Sequence, residues 1–144
     1  MGYTNYWTPK TLKPGEIPAQ FWEEAERVLD KVISKGVILA DVTGDHKVET
    51  GKELIVAEEG KILFNGYQDE SHESFALDFV EGEWNFCKTA RKPYDLAVKA
   101  ILMLADKYEL LDDTDDGYGW SWDGDEKDTE YIDAQNLMVE LELI

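Results

Sequence analysis

Glu53-Leu54-Ile55-Val56-Ala57 and Lys61-Ile62-Leu63-Phe64-Asn65 flank Glu58-Glu59-Gly60. Two apolar runs joined by a short turn through Glu59-Gly60 predict a β-hairpin, and with it an antiparallel sheet. Upstream, Val37-Ile38-Leu39-Ala40 reads as a short buried strand, followed by turn chemistry from Thr43 to Gly51. Before it, Pro18 opens a helix reaching about Ser34. Phe21, Ala25, Val28, Leu29, Val32 and Ile33 recur at helical spacing, Glu23, Glu24, Glu26 and Asp30 take the other face, and Gly36 ends the run. Residues 3–8, rich in β-formers, predict a first strand. Downstream of the hairpin come a polar loop at 66–74, an alternating strand at 75–80, a turn at Glu81-Gly82-Glu83 and a strand at 84–89. Pro93 then opens a helix to about Tyr108, with Ala97, Val98, Ile101, Leu102 and Ala105 on its stripe. A last helical stretch runs from about Glu130 to Leu141. This order predicts an α+β fold: a mainly antiparallel sheet packed by two main helices, an acidic segment at 112–130, and a short last helix, all in one domain spanning 1–144.

Composition limits the functions open to such a fold. The chain has 144 residues, 43% of them hydrophobic and 12% aromatic, enough for a proper core. Thirty-two acids against fourteen bases give a net charge of −18 and a pI near 4.3. Nucleic acid and anionic membranes are both repelled by that balance. The single cysteine, Cys87, forms no internal disulfide, and the N-terminal residues lack the basic start and apolar run of a signal peptide. No segment approaches the ~18 apolar residues of a membrane span. The expectation is a cytoplasmic protein.

Three constellations carry possible chemistry. The first is Trp84-Asn85-Phe86-Cys87-Lys88-Thr89-Ala90-Arg91-Lys92-Pro93-Tyr94-Asp95. No acid falls between 84 and 94, yet Lys88, Arg91 and Lys92 supply three of the fourteen bases. Free N–H groups at a helix start beside such bases form a receptor for phosphate or carboxylate, and Phe86, Trp84 or Tyr94 offer a stacking face. The plainer reading pairs these bases with the protein's own acids. The second is Asn65-Gly66 followed by His72-Glu73-Ser74-Phe75. A histidine beside a glutamate suits a general base or metal ligand, although no second ligand lies at i+2 or i+4 and a surface histidine is the commoner case. No metal and no cofactor is expected.

The third constellation is the segment 112–130, where nine acids, Trp120, Trp122 and three glycines accompany one base, Lys127. Asp112, Thr114, Asp116, Gly117 and Asp123 fall on positions of a calcium-loop template, but its twelfth position lacks the usual Glu. Dense carboxylates on a rigid face also imitate a phosphate backbone, and a solvated acidic face is the plain alternative. Cys87, in an apolar strand without a histidine partner, reads as structural.

Phe86-Cys87-Lys88-Thr89-Ala90-Arg91-Lys92-Pro93-Tyr94-Asp95, with Tyr3-Thr4-Asn5-Tyr6-Trp7, Phe64-Asn65-Gly66, His72-Glu73-Ser74-Phe75 and Asp123-Gly124, resembles a family of small uncharacterised bacteriophage and prophage proteins. Members of that family usually carry histidine in the place of Asn5. The resemblance implies a viral setting, with the protein acting in the host cytoplasm, and not a reaction. Small phage proteins of this kind often act against host defence. The leading expectation is a binding protein that sequesters a phosphorylated, nucleotide-like small molecule. Lys88, Arg91 and Lys92 would hold the anion, with Thr89 beside them; Asn65, His72 and Glu73 would read the rest; Phe86, Tyr94 or Trp7 would stack. The alternative is a protein-directed inhibitor or DNA mimic, its acidic segment engaging a basic host defence protein. A hydrolase using His72 and Glu73 comes third, so no catalytic residue is assigned.

Overall fold

Asn5 and Trp7 are fully buried while Tyr6 between them is only half-buried, the alternation of a strand with one face on a core. In the computed structural model, which describes residues 2–112 and 119–144, this segment is the first of ten elements. They run β1 (Thr4–Trp7), α1 (Ala19–Ser34), β2 (Leu39–Ala40), β3 (Ile55–Val56), β4 (Lys61–Gly66), β5 (Phe75–Asp78), β6 (Asn85–Lys88), α2 (Asp95–Lys107), β7 (Trp120–Trp122) and α3 (Thr129–Glu140). The architecture is α+β, and every strand pair is antiparallel.

The strands divide into two sheets. One has the order β6-β1-β7, with Asn5 opposite both Cys87 and Trp122. The other is built on β4, which pairs with β2, β3 and β5. Ile62 faces Leu77 and Phe64 faces Phe75, so the register puts four fully buried apolar side chains on one face.

The hairpin forms as expected, but its first strand is shorter. Glu53 turns back so that its carboxylate accepts the N–H groups of Glu49 and Thr50, both at 2.9 Å. This reciprocal cap holds Gly51–Leu54 in a single helical turn and leaves only Ile55 and Val56 to pair. Gly60 closes the connection at φ +70, a backbone shape that glycine adopts without strain.

α2 is the central helix. Ala97, Val98, Ala100, Ile101, Leu102, Leu104 and Ala105 are all inaccessible, because α1, α3 and β1 cover successive faces. Each such leucine or isoleucine stabilises the fold by about 1.5–3 kcal/mol. α2 and α3 end alike. Leu110 N–H reaches back to the Ala105 carbonyl and Leu143 N–H to that of Met138, both at 2.9 Å, with Glu109 and Glu142 left-handed at φ +59. No helix of the described residues is long and apolar enough to cross a membrane.

Candidate functional site

Asn5 points from β1 into the apolar interior, where an amide needs partners. It finds them on α2: its Nδ2 donates to Asp95 Oδ1 at 2.8 Å, and Lys99 Nζ donates to its Oδ1 at 2.9 Å. Lys99 also reaches Asp95 Oδ2 at 2.8 Å, and the Thr89 hydroxyl donates to Asp95 Oδ1 at 2.7 Å. Asp95 and Lys99 are one helical turn apart, so α2 presents both on one face. The ring of Tyr3 lies 4.3 Å from Lys99 Nζ, and the Tyr3 hydroxyl donates to Asp128 at 3.0 Å. Burial pushes the Lys99 ammonium below its ordinary range, opposed by the Asp95 carboxylate. Desolvation drives the Tyr3 phenol well upward, with Asp95 and Asp128 adding to it. Sequence reading missed this cluster, although an Asp-to-Lys spacing of four within an apolar helix was its visible sign.

The N–H groups at the helix start are already engaged by backbone carbonyls. Asp95, Leu96 and Ala97 N–H groups donate to the carbonyls of Lys92, Pro93 and Tyr94, and the Asp95 carboxylate is gripped by Asn5, Thr89 and Lys99. Arg91 Nη1 lies 2.7 Å from Glu130 Oε1, and its guanidinium stacks 4.0 Å above the Tyr3 ring. Lys92 Nζ donates to the Asp69 carbonyl at 3.1 Å. Arg91 and Lys92 do border a hollow of about 260 Å3, but Asp95, Glu130 and Asp133 border it too, and His72 does not. Ala90 and Arg91 enter the helix through consecutive left-handed conformations, φ +52 and +58.

The other residues singled out from sequence separate by strand parity. Phe86 and Lys88 point to the outer face of the sheet, opposite Asn5 and Cys87, and Phe86 packs 5.4 Å from Trp84. Tyr6 stacks on the same Trp84 at 6.2 Å, making an exposed aromatic row. Asn65 is a brace: its amide bonds the carbonyls of Val42 and His72 and accepts the N–H groups of Gly66 and His72. A Cβ at Gly66 would collide with the Glu70 carbonyl, so this tight return needs glycine there. Glu73 closes the junction, its Oε1 accepting Lys88 N–H at 2.8 Å and its carbonyl accepting the Tyr94 hydroxyl at 2.5 Å. The loop around His72 and the strand-to-helix junction therefore do meet, through Glu73, Lys88 and Tyr94. The His72 side chain is exposed. Burial raises the Cys87 thiol to about 12, which makes it inert at neutral pH.

A larger concavity lies at the other end of the sheet. β7 forms inside the acidic segment, where sequence reading assigned no strand, because Asp123 pins that segment to β1. Its N–H donates to the Thr4 carbonyl at 3.0 Å, and its carboxylate accepts Thr4 N–H at 2.9 Å and the Tyr6 hydroxyl at 2.8 Å. Trp120 and Trp122 thus project toward α3. Trp122 stacks on Tyr131 at 4.5 Å and 12°, and Trp120 lies 4.8 Å from Trp122. These rings wall a cleft of about 770 Å3, floored by Met103 and Gln135 and edged by Asp106, Asp125 and Glu126. The base on that rim, Lys107, lies 3.4 Å from the Glu24 carboxylate, which offsets its charge. Aromatic faces with carboxylates at their edge attract cations. The calcium-loop match involves Thr114, Asp116 and Gly117, which lie outside the described residues.

No family model, no curated protein and no solved structure matches this chain.

Proposed function

We propose that this protein is a binding module that captures a lysine- or arginine-rich segment of a partner protein in the cleft between β7 and α3. The observation that carries this reading is the pairing of the Trp120, Trp122 and Tyr131 rings with a rim of Asp106, Asp125 and Glu126. A cationic side chain gains twice there, from ring faces and from carboxylates. The net charge of −18 steers a basic partner toward the protein and keeps nucleic acid away. In the viral setting that the sequence resemblance implies, the partner is a basic host protein, such as one that itself binds nucleic acid.

Sequestration of a phosphorylated small molecule is less well supported. Of the bases meant to hold the anion, Arg91 is paired with Glu130, Lys92 is engaged by the Asp69 carbonyl and Lys88 points to the outer face of the sheet, while the helix-start N–H groups donate to backbone carbonyls. Titration with deca-lysine at rising ionic strength tests the proposal. Binding at low salt that weakens about tenfold or more by ~0.5 M salt is expected, and a further loss in Asp125→Asn/Glu126→Gln. Affinity indifferent to both changes would overturn it.

A further inference from the structure

We infer that the basic segment is bound as an added antiparallel β-strand on the outer edge of β7, its lysine or arginine side chains directed into the aromatic cleft. This inference rests on the reading of the cleft given above and adds how the partner's backbone is held.

The two edges of the β6-β1-β7 sheet differ. Asp123 N–H donates to the Thr4 carbonyl, so Thr4 and Asp123 face one another as a bonded pair. Two residues on, the register makes Tyr6 and Ser121 the next such pair. The peptide groups of Trp120 and Trp122 therefore turn away from β1. On the opposite edge the outward groups belong to Phe86 and Lys88, and the chain closes three of the four itself. Phe86 N–H donates to Asn85 Oδ1 at 2.8 Å, Lys88 N–H to Glu73 Oε1 at 2.8 Å, and the Lys88 carbonyl accepts Glu73 N–H at 3.1 Å. Among the described residues no such closure exists for Trp120 or Trp122.

An exposed strand edge invites pairing with another chain, and proteins commonly block it. Here one edge is blocked, while the other opens onto the cleft of about 770 Å3. Main-chain hydrogen bonds to such an edge give affinity, and pockets for alternate side chains give selectivity. Trp120 and Trp122 both face the helices, so residues directly opposite them on an added strand also point into the cleft. There they meet the Trp122 and Tyr131 rings with Asp125 and Glu126 nearby, which selects cationic side chains at every second position. Every existing strand pair is antiparallel. In that pairing the residues opposite Trp120 and Trp122 are also those whose N–H groups donate to β7.

The probe is a capped peptide of alternating lysine and valine, Lys-Val-Lys-Val-Lys-Val-Lys. Two companions carry backbone N-methyl groups on the lysines or on the valines. Binding is read by tryptophan fluorescence, and amide exchange at Trp120 and Trp122 by NMR. N-methylation of the lysines should weaken binding about tenfold, and that of the valines by no more than about threefold. The unmodified peptide should slow exchange at both amides. If the unmodified peptide binds in a salt-sensitive way but N-methylation acts equally at both sets or at neither, strand addition is wrong and the acidic cleft stands. No binding at low salt by the unmodified peptide would sink both.

Discussion

Lys99 Nζ lies 2.8 Å from Asp95 Oδ2, one turn apart on α2, and neither side chain is open to solvent. Asn5 bridges the pair from β1, so the contact ties the central helix to the central strand. Removing one member strands the other charge in the core, which costs about 3–5 kcal/mol. Lys99→Met and Asp95→Leu should each show that loss in urea unfolding, and the double variant should lose less than Lys99→Met alone. Additive losses would mean that the two charges act independently.

Alkaline pH should weaken the fold. Burial pushes the Cys87 thiol up to about 12 from its ordinary 9.0, so the native state holds its proton longer, and the stability from that group falls as pH climbs from 9 toward 12. Tyr3 and Tyr94, both raised by burial, act in the same direction above 10. Lys99 acts oppositely: its folded value lies below 10.5, so its contribution to stability rises across the window ending there. Tyr6 and Tyr108 are raised as well, so five groups oppose one and the net change is a fall; Cys87→Ala should flatten its first part in thermal melts read against pH. The same burial protects the thiol, so native protein at neutral pH should alkylate with iodoacetamide only after denaturant is added.

Glu109 and Glu142 hold left-handed conformations, φ +59 each, just past the ends of α2 and α3. Glycine suits that position without the Cβ penalty. Glu109→Gly and Glu142→Gly should each stabilise the protein by about 0.5–1 kcal/mol, although most glycine substitutions destabilise. A lower melting temperature in both would show that the glutamate side chains make contacts worth more than the strain.

Helices and strands with a strong period could be read from sequence. The α1 stripe from Phe21 to Val32 is buried as its spacing required, and the β4–β5 face follows the alternation of Phe75, Leu77 and Phe79. β7 escaped notice because three residues in an acidic run have no period; a long-range tie, Asp123 to Thr4, makes them a strand. The basic stretch at 84–94 was visible as composition, but Phe86 and Lys88 point outward from β6 while Arg91 lies beyond it in a left-handed turn, and no one-dimensional pattern names Glu130 as the partner of Arg91. The cleft combines α2, β7 and α3, so its rings meet only in three dimensions.

The most direct measurement follows the indole N–H signals of the five tryptophans while deca-lysine is added to 15N-labelled protein. Trp120 and Trp122 wall the cleft, whereas Trp84 stands 57% exposed on the outer aromatic row. If the cleft takes basic segments, the Trp120 and Trp122 signals move, return toward their starting positions in high salt, and leave Trp84 in place. Movement of Trp84 alone, with Trp120 and Trp122 unchanged, would contradict it.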